Sequence, residues 1–475
     1  MGEYGVGVGG LADVLENFTT SRYDLLADKE FEEEVVAKRT TTYFPQQFLD
    51  VYTDKMPVVF NLYPEVECFT KLPSIMLHGT IEVENTTTGT FPERDEVFSL
   101  VNTYPHALFS NVAVRVGNVW INDASEKPYP YKAYIENVMV HGKNYSDTIM
   151  SADGYYKDAN ARGEWDAEGV FIQGEGWKER RKGLCTGAKQ EFCIPLHHDI
   201  ITATRDLPPM IEMEVKLTRN TDSFVIWAPD NNKIGEEPPP PEAEGEDDTR
   251  PKKNEYQIKL SDLRLTADKV KVTDKIFNRY ANRAKGKLAE IPFTRNMIRS
   301  YTTRPGSYDW SFPNFVQHKQ LPETVYVVFV PLEAYEGKQS ENPFNFEEIK
   351  FNEASLIVNG RHEPTVALTN VDTKYRRRDF YQHFLNNTGQ DHFNNSAVNI
   401  SMEEYFDKGY FILAWDRTPS GNNRYTRHTM DEGAISLHLK LNTPKADRYQ
   451  VIMYCSYSDS IKIDEKNNVQ PIETF

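Results

Sequence analysis

No apolar run in the 475 residues approaches the roughly 18 to 20 needed for a helix to cross a bilayer, so membrane insertion is not expected. Cysteine is scarce too. The four present (Cys68, Cys185, Cys193, Cys455) form no CxxC pair and no zinc spacing, which excludes a disulfide-framed fold and predicts reduced, mostly buried thiols. Six Asn-x-Ser/Thr sites begin at Asn17, Asn85, Asn144, Asn386, Asn394 and Asn399, and read as polar loop residues. Positive charge is in deficit: 54 Lys and Arg against 71 Asp and Glu leave a formal charge of -17. A protein that wraps nucleic acid needs the opposite balance, so direct nucleic-acid binding over a broad face is not expected. The N-terminus, "MGEYGVGVGGLADVLENF", has no basic region ahead of an apolar core, which predicts cytosolic synthesis rather than secretion.

Chemistry is equally hard to find. "GVGVGG" (Gly5 to Gly10) matches GxGxxG, but four preceding residues cannot supply the strand that a dinucleotide site requires. In the same stretch Val6 stands where myristoylation needs Ser or Thr. "LHHDI" offers His197, His198 and Asp199, yet neighbours on a strand point to opposite faces and cannot share an ion without a turn. Carboxylates are abundant without a spacing that singles out an acid-base pair, and no Ser or Cys sits in a nucleophile motif. No catalytic, cofactor-binding or metal residue is therefore nominated, and the chain is not read as an enzyme. Two basic clusters, "KERRKG" (Lys178 to Gly183) and "KYRRRD" (Lys374 to Asp379), have three readings: pairing across a subunit contact, contact with a genome, or solvated loops.

What the sequence does have is β-rich text. There are 26 Tyr and 26 Phe, many Val, Ile and Thr in short runs, and 27 Pro and 26 Gly spread along the length. That composition favours many short strands joined by turns, and the length suits two domains. In "IEMEVKL", Ile211, Met213, Val215 and Leu217 share one face while Glu212, Glu214 and Lys216 share the other. Such alternation marks a half-buried antiparallel strand.

The text also repeats itself. "KLPSIMLHGTIEV" from Lys71 matches "QLPETVYVVFVPL" from Gln320, and "FSNVAVRVGN" from Phe109 matches "FNEASLIVNG" from Phe351. "KAYIENVM" from Lys132 faces "RDFYQHFL" from Arg378, and both read as short helices inserted between strands. "FCIPLHHD" from Phe192 faces "FILAWDRT" from Phe411, "IEMEVKL" faces "ISLHLKL" from Ile435, and Tyr256 faces Tyr449. Six matches in one order indicate an internal duplication. About eight short strands per unit suit a jelly-roll sandwich, so the fold class expected is all-β: two tandem jelly rolls with short inserted helices.

Between the last two matches the first unit carries about 31 extra residues, which include the acidic, proline-rich loop within 229–255. Four consecutive prolines amid Glu and Asp cannot enter a sheet or bury a core, so this segment is expected outside the sandwich. The expected organisation is an N-terminal arm (1–50) belonging to neither core, a first roll (51–270), a polar helix or linker (271–290) and a second roll (291–475).

"SNVAVRVGN" and "KAYIENVM" in the first half, with "YRRRDFYQHF", "EEYFDKGYFILAWDRTP" and "YQVIMYCSYSDSIKID" in the second, resemble one family. It is the double jelly-roll, hexon-like major capsid proteins of double-stranded DNA viruses, nearest the Polinton (Maverick) and adintovirus type, with iridovirus-like proteins more distant. The likeness covers roughly residues 50 to 470 and leaves the arm and the acidic insertion unplaced. It implies a structural protein whose homotrimer forms pseudo-hexameric capsomers of an icosahedral shell. It also implies upright rolls with long loops at one end forming outer towers, neighbouring capsomers, penton and minor capsid proteins as partners, and no cofactor. The location implied is the virion capsid, after synthesis in the host cytoplasm. The competing readings are a β-sandwich carbohydrate-binding or attachment protein, and a hydrolase on tandem sandwiches.

Overall fold

The computed structural model describes residues 35–470 apart from 48, 50, 53–56, 95, 122–127, 141–142, 167–170, 186, 230–254, 285–287, 370–375, 389–397 and 419–431. The first half contains strands β1 (Val35–Tyr43), β2 (Pro57–Leu62), β3 (Cys68–Asn85), β4 (Ser99–Leu100) and β5 (Phe109–Val116). It continues with β6 (Val119–Ile121), β7 (Gln190–Pro195), β8 (Met213–Arg219), β9 (Ile226–Trp227) and β10 (Tyr256–Val272). The second half contains β11 (Ala289–Thr302), β12 (Asp309–Gln320), β13 (Thr324–Pro331), β14 (Phe351–Val358), β15 (Arg361–Leu368), β16 (Ile412–Asp416), β17 (Glu432–Leu441) and β18 (Tyr449–Ile463). Three helices matter below: α1 (Pro128–Val140), α2 (Asp274–Ala284) between the halves, and α3 (Arg376–Asn386).

The duplication is visible in the strand order. The first half builds sheets β1-β10-β3-β7 and β2-β8-β5-β6; the second builds β11-β18-β13-β16 and β12-β17-β14-β15. Setting aside the small β4-β9 ribbon, the first-half strands taken in chain order correspond to β11 through β18, and the two orders are then the same. All these pairings are antiparallel, and each sheet draws its strands from one half only.

Register follows from the alternation. Val215 of β8 lies between Phe60 of β2 and Val114 of β5, and all three are fully buried. Its counterpart Leu439 of β17 lies between Trp310 and Ala354, again buried. On the opposite face Glu214 accepts from Arg115 Nε at 3.0 Å, and His438 Nε2 lies 3.2 Å from Asp309. None of the four cysteines is in a disulfide, and of them only Cys455 is buried; Cys193 is exposed on β7, so the expectation of mostly buried cysteines is corrected.

One expectation about the first roll's start also changes. The sequence leads one to expect segment 1–50 to be an arm outside both cores, yet Val35–Tyr43 pairs along β10 from Val35↔Val272 to Tyr43↔Leu265, with Tyr43 buried. As the edge strand of its sheet, β1 is exposed over most of its length, so "VVAKRTTTY" carries no alternation to announce it. Residues 1–34, including the Gly-rich stretch, lie outside the described residues.

Antiparallel alternation sorts the connections to two ends of each sandwich. In the first roll the long segments 86–108, 122–189 and 220–255 all emerge at one end, while 63–67, 117–118 and 196–212 turn at the other. The second roll repeats the bias, with 332–350 and 369–411 at the loaded end. The acidic insertion 230–254 lies outside the described residues, but its flanks are at that loaded end. There Thr86 N–H donates to Glu255 O at 2.8 Å and Ala228 N–H to Gln339 O at 2.7 Å.

Candidate functional site

The chemistry of a duplicated sandwich lies in the surfaces its two copies present. The contact between the rolls is built largely by α1. In "PYPYKAYIENVMV" every described side chain is buried or nearly so, including those of Lys132, Glu136 and Asn137. Tyr131 stacks on Tyr335 of the second roll at 5.6 Å between centroids, and Tyr134 stacks on Phe344 at 4.3 Å. Tyr410 O–H donates to Asp158 O at 2.8 Å, and Asn342 Nδ2 to Ala161 O at 2.9 Å. Lys157 Nζ pairs with Glu404 at 2.7 Å.

Glu136 is the polar clamp of this contact. Its Oε1 accepts from Asn296 Nδ2 of β11 at 2.9 Å and from Tyr454 O–H of β18 at 3.1 Å. Its Oε2 meets His197 Nδ1 at 2.7 Å, and one turn earlier Lys132 is paired with Asp199. Burial raises the Glu136 carboxyl, but Lys132 and the His197 contact outweigh it and hold the group below the ordinary range. Asp199 goes the other way: burial lifts it above the ordinary range despite Lys132. Buried carboxylates and cations that are paired and hydrogen-bonded fix geometry, since each misplaced partner would leave a charge without water.

The motifs singled out in the sequence take distinct places. His197 and His198 do point apart: His197 to Glu136, His198 through Nε2 to Ile121 O at 2.9 Å, with Asp199 engaged by Lys132. Among the described residues no group of three His, Cys, Asp or Glu could hold a metal ion. The cluster "KERRKG" is divided: Lys178, Glu179, Lys182 and Gly183 are exposed, whereas Arg180 is fully buried. Its guanidinium donates to Leu100 O, Tyr156 O and Asp158 at 2.8, 2.7 and 2.7 Å. Arg181 donates to Glu93 O and Arg94 O, and Lys182 makes a surface pair with Glu179. In "KYRRRD", Arg377 pairs with Glu348 and Asp407, while Arg378 and Asp379 are exposed. Asn85, one of the six glycosylation-type sites, is fully buried and braces the turn after β3 by accepting from Thr87 N–H. Sequence reading missed the Glu136 clamp; the only trace it leaves is Lys132 and Glu136 at i,i+4 on one helical stripe.

The corresponding sheets β1-β10-β3-β7 and β11-β18-β13-β16 differ in what covers them. In β13 all but the last residue are buried, and in β18 the first nine are; outward-facing Val328, Ile452 and Tyr454 are as hidden as inward-facing Val327. Tyr454 and Asn296 face outward and bond Glu136, so α1 lies over this sheet. In the first roll β10 keeps a one-sided pattern, with Gln257 and Arg264 exposed, and exposed Cys193 lies on the same sheet. One sheet is buried on both faces; among the described residues its copy keeps part-exposed side chains along one face, where Tyr280 of α2 packs edge-on against Phe69.

No family model matches the chain. An uncharacterized protein of Caenorhabditis elegans is 20% identical over 376 residues, 78% of this chain and 81% of that one. Solved structures with the same architecture are more informative. A protein of the Sputnik virophage superposes with a TM-score of 0.57 at 11% identity, over 95% of this chain and 92% of its own. The Faustovirus major capsid protein gives 0.55 at 10% identity over 95% and 94%, and the mavirus major capsid protein 0.52 at 11% over 94% and 93%. The chain therefore has the double jelly-roll fold. The proteins it shares that fold with are major capsid proteins of virophages and large DNA viruses, structural proteins rather than enzymes. The Polinton-type likeness in the sequence is consistent with the virophage neighbours.

Proposed function

We propose that the chain is a major capsid protein whose homotrimer is a pseudo-hexameric capsomer of an icosahedral shell. The observation that carries this reading is the repetition of one strand order in two rolls held side by side by a dense intrachain contact. A shell tiled mostly by hexagonal positions needs six-sided blocks. Three copies of a two-roll chain supply six similar lobes about a threefold axis, and closed cyclic symmetry satisfies every interface. The bias of the long connections to one end of both rolls gives such a block an outer and an inner face. The partners that follow are further copies, neighbouring capsomers, and penton and minor capsid proteins; the location is the virion capsid.

The test is mass and shape in solution. Light scattering on the purified chain is expected to give about 165 kDa, three times 54.8 kDa. Electron micrographs should show hexagonal outlines. A stable monomer at high concentration overturns the reading.

A further inference from the structure

Lys132 of α1 meets Asp199 inside the protein, and each side chain is only 9% exposed. Elsewhere the chain buries carboxylates against arginine, as in Arg180–Asp158 and Arg219–Asp222. Arginine does not give up its proton in proteins, so those pairs can only be ionic. Lysine can. Burial of a Lys–Asp pair favours the uncharged form, an amine beside a carboxylic acid. An amine held against a carboxyl group is a nucleophile in contact with its electrophile.

The surroundings complete the arrangement. Asp199 is fixed in a turn: Thr202 Oγ1 donates to Asp199 O at 3.0 Å, and His198 before it is anchored on Ile121 O at 2.9 Å. The backbone N–H of Asn296, on β11 of the second roll, donates to the Asp199 carboxyl group and polarises it. Glu136 stands one turn along α1 from Lys132, on the same stripe. Burial raises Asp199 despite Lys132, whereas at Glu136 the effect of burial is outweighed by Lys132 and His197. One carboxyl group is thus pushed toward the acid and the other toward the carboxylate, the division between an electrophile and a base.

We propose that Lys132 and Asp199 become joined by an isopeptide bond in the folded chain, with Glu136 carrying the proton. The Lys132 Nζ amine attacks Asp199 Cγ, and the oxyanion of the tetrahedral intermediate accepts from Asn296 N–H. Glu136 takes a proton from Nζ and delivers it to the departing hydroxyl. The Nζ–Cγ bond forms, one Cγ–O bond breaks, and its electron pair leaves with the oxygen as water. Glu136 is regenerated, and the step consumes no oxidant or other co-reactant. Both reactants are held in one site, so the step is intramolecular, and burial keeps water from reversing it. Asn296 belongs to the second roll, so the bond forms after the rolls have packed. It ties α1, which carries the roll-to-roll contact, to the segment 196–212 of the first roll. The inference concerns a single chain and stands apart from the capsomer reading.

The experiment is mass spectrometry of the full chain, purified folded and then denatured. The chain should weigh about 18 Da less than its sequence, the mass of one water. A tryptic digest should give a branched peptide joining Lys132 to Asp199, with no cleavage after Lys132. Lys132→Met and Asp199→Ala should each carry the full sequence mass. Glu136→Gln, with an unchanged circular dichroism spectrum, should yield at least about tenfold less branched peptide; an undiminished yield overturns the role of Glu136. A folded wild-type chain that keeps its full sequence mass after prolonged incubation overturns the inference and leaves an ion pair. So does a loss of water confined to the Asp199 peptide, which marks a cyclised aspartate. If Lys132→Met and Asp199→Ala do not fold, the wild-type mass and its branched peptide decide alone.

Discussion

Val215 and Leu439 mark the same position in two sandwiches, and each sits fully buried between aromatic or aliphatic neighbours on both adjoining strands. An aspartate at either place would bury a carboxylate with no partner, at a cost of more than about 4 kcal/mol. Val215→Asp and Leu439→Asp are therefore expected to abolish soluble protein. Glu214→Ala removes a part-buried pair with Arg115 and is expected to cost about 1 kcal/mol, far less than either aspartate, in urea unfolding. His198 makes a second residue-scale case. Burial, then the charge of Lys132, pushes it down to about 3 from 6.5, and its Nδ1 has no hydrogen-bond partner to receive a proton. A lowered base contributes its full stability above 6.5 and loses it as the pH falls toward the folded value, so His198 alone should cost ~2 kcal/mol at pH 5. His106, lowered well below the ordinary range by burial, acts with the same sign. Asp153, raised by burial to about 6, acts with the opposite sign and offsets about 1 kcal/mol at pH 5. Urea unfolding at pH 7 and pH 5 should show a net loss on acidification, and His198→Gln, which keeps a donor to Ile121 O, should reduce that loss.

Elements carry a different lesson, because homologous elements differ in what covers them. β3 and β13 are copies, yet β3 alternates buried with part-exposed residues where β13 is buried almost throughout. The cause is α1, which lies on the second sheet and not the first. α1 and α3 are copies too, and one is engulfed while the other keeps an exposed stripe. The acidic insertion belongs to this scale. Deleting Glu236 to Arg250 is expected to leave folding and assembly intact, since the second roll links its matching strands, β17 and β18, through 442–448 alone. The flanks are held independently by Ala228 and Glu255. Light scattering and thermal melting of the deletion variant check this; loss of soluble trimer would mean that the segment packs into an interface.

On the scale of the whole molecule, the two rolls are joined by a contact that mixes aromatic stacking with a satisfied buried polar network. Stacked aromatic pairs contribute about 0.5–1.5 kcal/mol each beyond their buried area, while the Glu136 hydrogen bonds fix the angle between the rolls. In the proposed capsomer a fixed angle matters more than strength, because a ring of six lobes closes only if each step turns by the same amount. Rigid rolls in a fixed relation, with the longest connections biased to one end, suit the proposed tile.

The sequence alone determined the strands, the duplication and the double jelly-roll class, because alternation with period two and a conserved order of matches are local patterns that read directly as sheet faces. It also placed α1 and α3, whose helical runs interrupt the β text at corresponding points. It did not reveal β1, whose pairing with β10 rests on backbone hydrogen bonds at a sheet edge and needs no hydrophobic pattern. Nor did it reveal that Arg180 is an internal anchor, since a run of basic residues looks the same whether Asp158 waits beneath it or water does. The Glu136 clamp brings together residues 136, 197, 296 and 454, and no local pattern encodes a meeting of side chains so far apart in the chain. Which sheet is the more deeply covered was decided only by the tertiary structure, because two nearly equivalent surfaces become different once one roll has packed on the other.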